Sequence, residues 1–328
     1  EGDRAKAFFF RRDHHWTPYG AQRTAEVVAA EIKKMPEFQQ LKRVPFTTQR
    51  LGMMARRGTL QVAHTLMCND QFPDQYVDAF ESVMEQDASE LGQEADLFGE
   101  TELPGMTLVG TSFSKGALNY NFEGFLKDDL EVDMLNEASA GGSYDGALLQ
   151  YLPSDAFQNE TPKILLWEVP SYHRLSSRLF YREIIPLVNN ACRDRPAVFS
   201  RTVQLRPGVN EVLFNGGGTV KDLRGGDLQV DLQFSDRSMR KLNAVVWYLN
   251  GRREKVRLSH GKKVDTQGRF VFELNAEEAW RDFTFLSLDV TVESDAKPTS
   301  VEATLCVRPD RETVWSANEQ FARTHNTL

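Results

Sequence analysis

Apolar residues recur along this chain with two different periods, and the change falls at Arg195-Pro196. Before it, short apolar runs alternate with helical patterns. Thr17-Pro18 has the form of an N-cap and a first-turn proline, and Ala21, Ala25, Val28 and Ile32 then repeat at helical spacing. TLVG (107–110), DMLNEA and KILLWEV (163–169) read as short buried strands. Helical patterns follow them: one carrying Phe122, Phe125, Leu126 and Leu130, one at ALLQYL, and one bent or shortened at Pro186. Strand, loop and helix in repetition predict an open α/β sheet over 1–195, with its functional groups beyond the carboxyl ends of the strands.

After Pro196 the texture changes. Segments such as TVQL, LQVDLQF, NAVVWYL, GRFVFEL and VEATLCV alternate apolar and polar residues, and PG, GGG, NG and QG turns separate them. That predicts an all-β sandwich over 196–328. Asn250-Gly251 is the strongest hairpin signal.

Charge adds one local feature. The net charge is −8, yet 237–263 holds nine Lys or Arg against Glu254 alone. A local excess of cations in an acidic chain points to an anionic partner. Nucleic acid ranks low among polyanions, because the usual recognition motifs are missing and the pI is near 5.4. No apolar run approaches the ~20 residues that cross a bilayer. The first residue is not Met and no signal-peptide pattern follows, so a processed or partial product is expected. Cys68, Cys192 and Cys306 lack metal spacing. In an oxidising compartment Cys192 and Cys306 can staple the two halves of the chain, leaving Cys68 odd; three reduced thiols is the alternative.

The chemistry-bearing candidates lie in the first half. GTSFS ends a predicted strand, so Ser112 can project from the sheet edge, but a serine needs a neighbouring base to act as a nucleophile. In DHH, His15 can supply that base and Asp13 can orient it. Alternation along an extended segment puts residues 13 and 15 on one side and His14 on the other, which favours His15. Polar loops that cap helices are the plainer reading. A second oxyanion donor beside the Ser112 N–H is sought in the Gly141-Gly142 turn. No cofactor is indicated, and no metal, because His14 and His15 are adjacent and no further ligands suggest themselves.

The ordered motifs DHHWTPYGA, LVGTSFS, NYNFEGFL and KILLWEVPSYHRL, then a β-rich tail with VVWYLNGR, resemble the periplasmic alginate O-acetyltransferases. Those join a permuted SGNH-hydrolase-like domain to a carbohydrate-binding module, and the resemblance runs over essentially the whole chain. It implies an SGNH-like acetyltransferase domain over 1–195, with its N-terminal part missing, and a binding module over 196–328. It assigns acid, base and nucleophile to Asp13, His15 and Ser112, and active-site lining to Tyr120 and Tyr172. It implies an interdomain Cys192–Cys306 disulfide and a partner for Cys68 in an upstream segment. It further implies a periplasmic location, an acetyl donor delivered by other acetylation proteins, and association with a tetratricopeptide-repeat lipoprotein of the secretion complex. An esterase using the same triad and a non-catalytic polysaccharide scaffold are the alternatives.

For a polyuronate, the hairpin supplies cations and flat faces: Lys241, Asn243, Trp247, Tyr248, Arg253, Lys255 and Arg257. A two-residue turn at Asn250-Gly251 would put Tyr248 with Arg253, Lys255 and Arg257, and Trp247 on the other face with Val245 and Val256. A bulge would reverse that for one strand.

Overall fold

A computed structural model of the chain describes residues 6–85, 102–116, 120–173, 175–176, 178–274, 280–293 and 299–309. Its contacts divide into two compact units, Glu1–Ala147 with Asn159–Ser171, and Leu148–Gln158 with Tyr172–Leu328.

The first unit contains, in chain order, α1 (Pro18–Ile32), β1 (Phe46–Arg56), α2 (Thr59–Cys68), β2 (Gln75–Met84), β3 (Met106–Val109), α3 (Phe122–Leu130), β4 (Leu135–Asn136) and β5 (Ile164–Trp167); between β4 and β5 the chain forms α4 (Gly146–Tyr151) and α5 (Asp155–Asn159), which belong mostly to the second unit. Thr17 caps α1 by accepting from the Gly20 N–H at 3.2 Å. The buried stripe Ala21, Ala25, Ala29 and Ile32 lets α3 approach closely. All four residues of β3 are buried, as befits the middle of a parallel sheet, and the strand order is β4–β3–β5. The predicted α/β texture is therefore present, with shorter strands: only Leu135 and Asn136 of DMLNEA pair with β3.

The sequence pattern gave no sign of β1 and β2, which form an antiparallel ribbon. Most of their residues are exposed or half-buried, so the apolar alternation that marks a strand is weak. A bulge between Arg50 and Gly52 leaves Leu51 as an extra residue in β1.

The second unit contains α6 (Arg178–Leu187), β6 (Ala197–Gln204), β7 (Gly208–Phe214), β8 (Leu228–Phe234), β9 (Lys241–Tyr248), β10 (Arg253–Ser259), β11 (Arg269–Glu273), β12 (Phe285–Val292) and β13 (Ser300–Val307). The strands form two four-stranded sheets, β10–β9–β12–β7 and β11–β8–β13–β6. Their inner faces, with Val246, Phe285 and Leu288 from one and Val230, Phe234, Phe270 and Leu305 from the other, share one apolar core. The sandwich expected from the alternating segments is thus present. Cys192 and Cys306 are disulfide-bonded, with Cα atoms 5.6 Å apart. Both belong to the second unit, so the bridge ties the segment after α6 to β13 instead of stapling the two halves. Cys68 is a free, exposed thiol at the end of α2. Among the described residues, no helix is long and apolar enough to cross a membrane.

Candidate functional site

The segment before α1 is a turn, not the extended strand that alternation required. Phe9 and Trp16 form an isolated antiparallel bridge, and the Phe10 N–H donates to His15 O at 3.1 Å. Within this turn Asp13 Oδ1 accepts from the His15 N–H at 3.1 Å. The carboxylate and the imidazole therefore meet through a local side-chain-to-backbone bond, which selects His15 over its neighbour. The His14 side chain is 46% exposed and its ring lies against that of His15, 4.0 Å between centroids.

Ser112 stands three residues beyond β3, at the carboxyl edge of the parallel sheet. His15 Nε2 lies 2.7 Å from Ser112 Oγ, and His15 Nδ1 lies 2.6 Å from Asp13 Oδ1. The second carboxylate oxygen of Asp13 accepts from the Thr59 N–H, the first of α2, at 3.0 Å. That approach requires Gly58: a Cβ there would lie 2.0 Å from Arg12 O. Two further α2 amides, of Leu60 and Gln61, donate to the same Arg12 oxygen. The positive end of α2 is thus set against the carboxylate.

The nucleophile turn is held from β5. Glu168, one residue past that strand, accepts from the Thr111 N–H at 2.7 Å, the Thr111 hydroxyl at 2.9 Å and the Ser114 hydroxyl at 3.2 Å. Gly110 makes room for it, since a Cβ would come within 2.7 Å of Glu168 Oε2. The Ser112 N–H is uncommitted among the described residues, as an oxyanion donor must be. In the glycine turn, the Gly142 N–H points instead at Ser139 O, at 3.4 Å.

Electrostatics divide the two titrating groups. Burial opposes ionisation of Asp13, but hydrogen bonds from the Thr59 N–H, the His15 ring and the His15 N–H outweigh it and lower its pKa. Burial also lowers the pKa of His15 below the usual 6.5, against the raising effect of Asp13, and the nearby His14 and Arg56 add to the lowering. The imidazole is accordingly neutral at pH 7 and able to accept a proton. The sign for activity follows: a reaction needing neutral His15 is retained as pH falls to 6.5 and lost only below it. The acid limb of a kcat/KM–pH profile is expected to have its midpoint under 6.5; a midpoint above that value would contradict a base in this setting. Asp13, His14 and His15 also bring possible metal-ligating atoms within 4.8 Å of one another, but Asp13 Oδ1 and His15 Nδ1 face each other in the hydrogen bond already described.

Tyr120 is 3% exposed and its ring stacks on His15, 5.2 Å between centroids at 21°. Its hydroxyl accepts from Arg56 Nη2 at 2.8 Å. Tyr172 belongs to the second unit, is two-thirds exposed and packs against the His173 ring. Arg56, Thr59 and Glu168 were not anticipated. Glu168 alone left a signal, an acid directly after a buried strand, where site groups gather.

In the second unit, β9 and β10 pair with Trp247 opposite Arg253, Val245 opposite Lys255, Asn243 opposite Arg257 and Lys241 opposite Ser259. The turn is three residues, Leu249 to Gly251, with Gly251 at φ +80°, which shifts the register by one from a two-residue turn. Trp247 therefore shares the outer face with Lys241, Asn243, Arg253, Lys255 and Arg257. Its indole N–H donates to Asp289 Oδ2 at 2.8 Å, and the Arg253 guanidinium lies 5.7 Å from its ring centroid. Tyr248 faces inward, fully buried, and its hydroxyl donates to Glu254 Oε2 at 3.0 Å. It cannot offer a surface to a polymer, so the expectation for this residue is corrected.

Residues 1–171 match the family model described as SGNH hydrolase-like domain, acetyltransferase AlgX, and 191–319 match that of a C-terminal carbohydrate-binding module. The chain is 42% identical over 305 residues, 93% of its length and 62% of the other's, to the alginate biosynthesis protein AlgX of Pseudomonas syringae pv. tomato. It is 31% identical over 176 residues, 50% of this chain and 43% of the other, to the "Probable alginate O-acetylase AlgJ" of Pseudomonas aeruginosa. A solved chain of Pseudomonas aeruginosa AlgX superposes with a TM-score of 0.79 at 38% identity, covering 92% of this chain and 69% of that one. The chain spans about three-fifths of the length of the curated AlgX relatives it matches.

Proposed function

We infer the function of this chain from the family to which it belongs, the SGNH hydrolase-like acetyltransferases of the AlgX type, together with its Asp13–His15–Ser112 hydrogen-bonded line. The protein transfers acetyl groups to hydroxyls of mannuronate residues in alginate. The observation that carries this reading is the 2.7 Å contact between the His15 imidazole and a strand-end serine.

In the first step Ser112 Oγ attacks the acetyl carbonyl carbon while His15 Nε2 takes its proton. Asp13 holds the tautomer with the proton on Nδ1 and stabilises the imidazolium that forms. Collapse of the tetrahedral adduct expels the donor's leaving group, which receives the proton from His15, and acetyl-Ser112 remains. A sugar hydroxyl then gives its proton to His15 as it attacks the ester. The second collapse restores Ser112 with that proton. The Ser112 N–H faces both oxyanions, and one such donor is typically worth about 2.7–4 kcal/mol of transition-state stabilisation.

The outer face of β9 and β10 binds the polymer. A polyuronate carries a carboxylate on every residue, which suits Arg253, Lys255, Arg257 and Lys241, and the Trp247 ring offers a flat apolar face to a sugar. Location in the periplasm, delivery of acetyl by other acetylation proteins, and docking to a tetratricopeptide-repeat lipoprotein of the exporter complete the reading. They rest on the resemblance.

The test is incubation of the protein with an activated acetyl ester and mannuronate oligomers. Acetylated oligomer, and a Ser112 peptide heavier by one acetyl group in quenched samples, are expected. Acetate release with no sugar product at high oligomer concentration would replace transfer by hydrolysis. No adduct and no turnover would leave a binding module beside an inert domain.

A further inference from the structure

We propose that Arg56 is a positioning residue for the His15 base, holding Tyr120 against the imidazole and keeping a positive charge beside it. This deepens the acyl-transfer reading and rests on it for its catalytic meaning.

The geometry is a chain of three groups. Arg56 Nη2 donates to the Tyr120 hydroxyl at 2.8 Å, and the Tyr120 ring lies nearly parallel to His15, 5.2 Å away. The guanidinium carbon stands 5.3 Å from the Tyr120 centroid and 5.9 Å from that of Phe10, so two aromatic faces confine it. Tyr120 is thereby fixed at its hydroxyl end, and the imidazole rests on a ring that cannot swing away. Phe113 and His14 also pack against the His15 ring, 4.7 and 4.0 Å between centroids. With these rings around it, the imidazole places Nε2 2.7 Å from Ser112 Oγ.

The charged and titratable groups around His15 are Asp13 and His14 on its own turn, Tyr120 ahead of α3, and Arg56 at the end of β1. Asp13 alone favours protonation of the ring; Arg56 opposes it, as does His14. For Tyr120, burial raises the phenol pKa, while the Arg56 charge and hydrogen bond pull it down. The same guanidinium therefore acts on both rings. The segment that ends in Arg56 continues through Gly58 to the Thr59 N–H on Asp13, so one short stretch fixes both the acid and the aromatic support of the base.

The experiment compares Arg56→Gln and Arg56→Lys with the parent protein in two measurements. The first is an NMR titration of the His15 imidazole, assigned by the signal lost in His15→Gln. The midpoint is expected to rise in Arg56→Gln and to stay near the parent value in Arg56→Lys, which keeps the charge. The second is the kcat/KM–pH profile for an activated acetyl ester. Its acid limb should follow the same shifts, with the plateau falling roughly 10-fold in Arg56→Gln, comparable to one interaction of about 1.4 kcal/mol. An unmoved midpoint in Arg56→Gln would overturn the inference, whatever the rate. So would a lower rate at every pH with Lys no better than Gln, which a purely structural residue would produce. Turnover that persists in Ser112→Ala would instead remove the acyl-transfer reading, while the imidazole titration would still decide the place of Arg56.

Discussion

Asp13→Asn is expected to lower acetyl transfer by about 10⁴-fold, the size of effect seen when the acid of a serine–histidine–acid triad is replaced by its amide. The physical reason is local. Oδ1 accepts from both the His15 N–H and His15 Nδ1, and Oδ2 accepts from the Thr59 N–H. An asparagine has one acceptor oxygen: at the Oδ1 position it keeps the His15 contacts but sets its NH₂ against the Thr59 N–H, and at the Oδ2 position it keeps Thr59 but turns its NH₂ toward the His15 N–H and ring. If its NH₂ meets Nδ1, the imidazole proton moves to Nε2, and the nitrogen facing Ser112 becomes a donor with no capacity to accept. The fold should survive, because the side chain keeps its shape. Ser112→Ala should cost at least as much, since triad members fail as a unit. Rates of acetyl transfer to mannuronate oligomers, with far-UV circular dichroism as the folding control, check both. Asp13→Asn within tenfold of the parent would mean that the carboxylate only caps α2.

The second large effect is on stability. The Cys192–Cys306 bond spans 114 residues, and closing a loop of that size removes much freedom from the unfolded chain. Its loss through Cys192→Ser with Cys306→Ser is expected to destabilise the second unit by about 2–5 kcal/mol. The sulfurs lie under Gln229, whose amide donates to Ala191 O at 2.9 Å, so serine would put hydroxyls among already matched groups. Denaturant unfolding followed by near-ultraviolet signals of the sandwich tryptophans, with and without reductant, reads the effect. The parent protein under reductant should fall to the stability of the double variant. Equal midpoints in all four conditions would show that the bridge adds nothing to the folded state.

These expectations show which parts of the molecule can be read from residues alone. Asp13 and His15 were legible because the pair is local, two positions apart, although the turn unites them where strand alternation was invoked. Ser112 was legible because a glycine after a buried apolar run marks the edge of a parallel sheet. Their supports were not. Arg56 ends a ribbon whose side chains are largely solvent-facing, and exposure erases the periodic signal on which strand reading depends; Thr59 acts through its backbone N–H at the start of α2, which no side-chain pattern announces. The hairpin of the second unit illustrates a different limit. Asn250-Gly251 marked the turn correctly, but a left-handed Gly251 made it three residues long, and one residue of register is enough to exchange Trp247 and Tyr248 between surface and core. No composition argument carries that information.

The bulge at Leu51 acts as a phase shifter. Side chains on a ribbon alternate sides with each residue, so an odd insertion inverts the sense of every position beyond it. Were Leu51 drawn into regular pairing, with no change of sequence, the Arg56 guanidinium would turn toward the opposite side of the ribbon. The chemistry at the sheet edge thus depends on the parity of a surface stretch that touches neither the acid, the base nor the nucleophile.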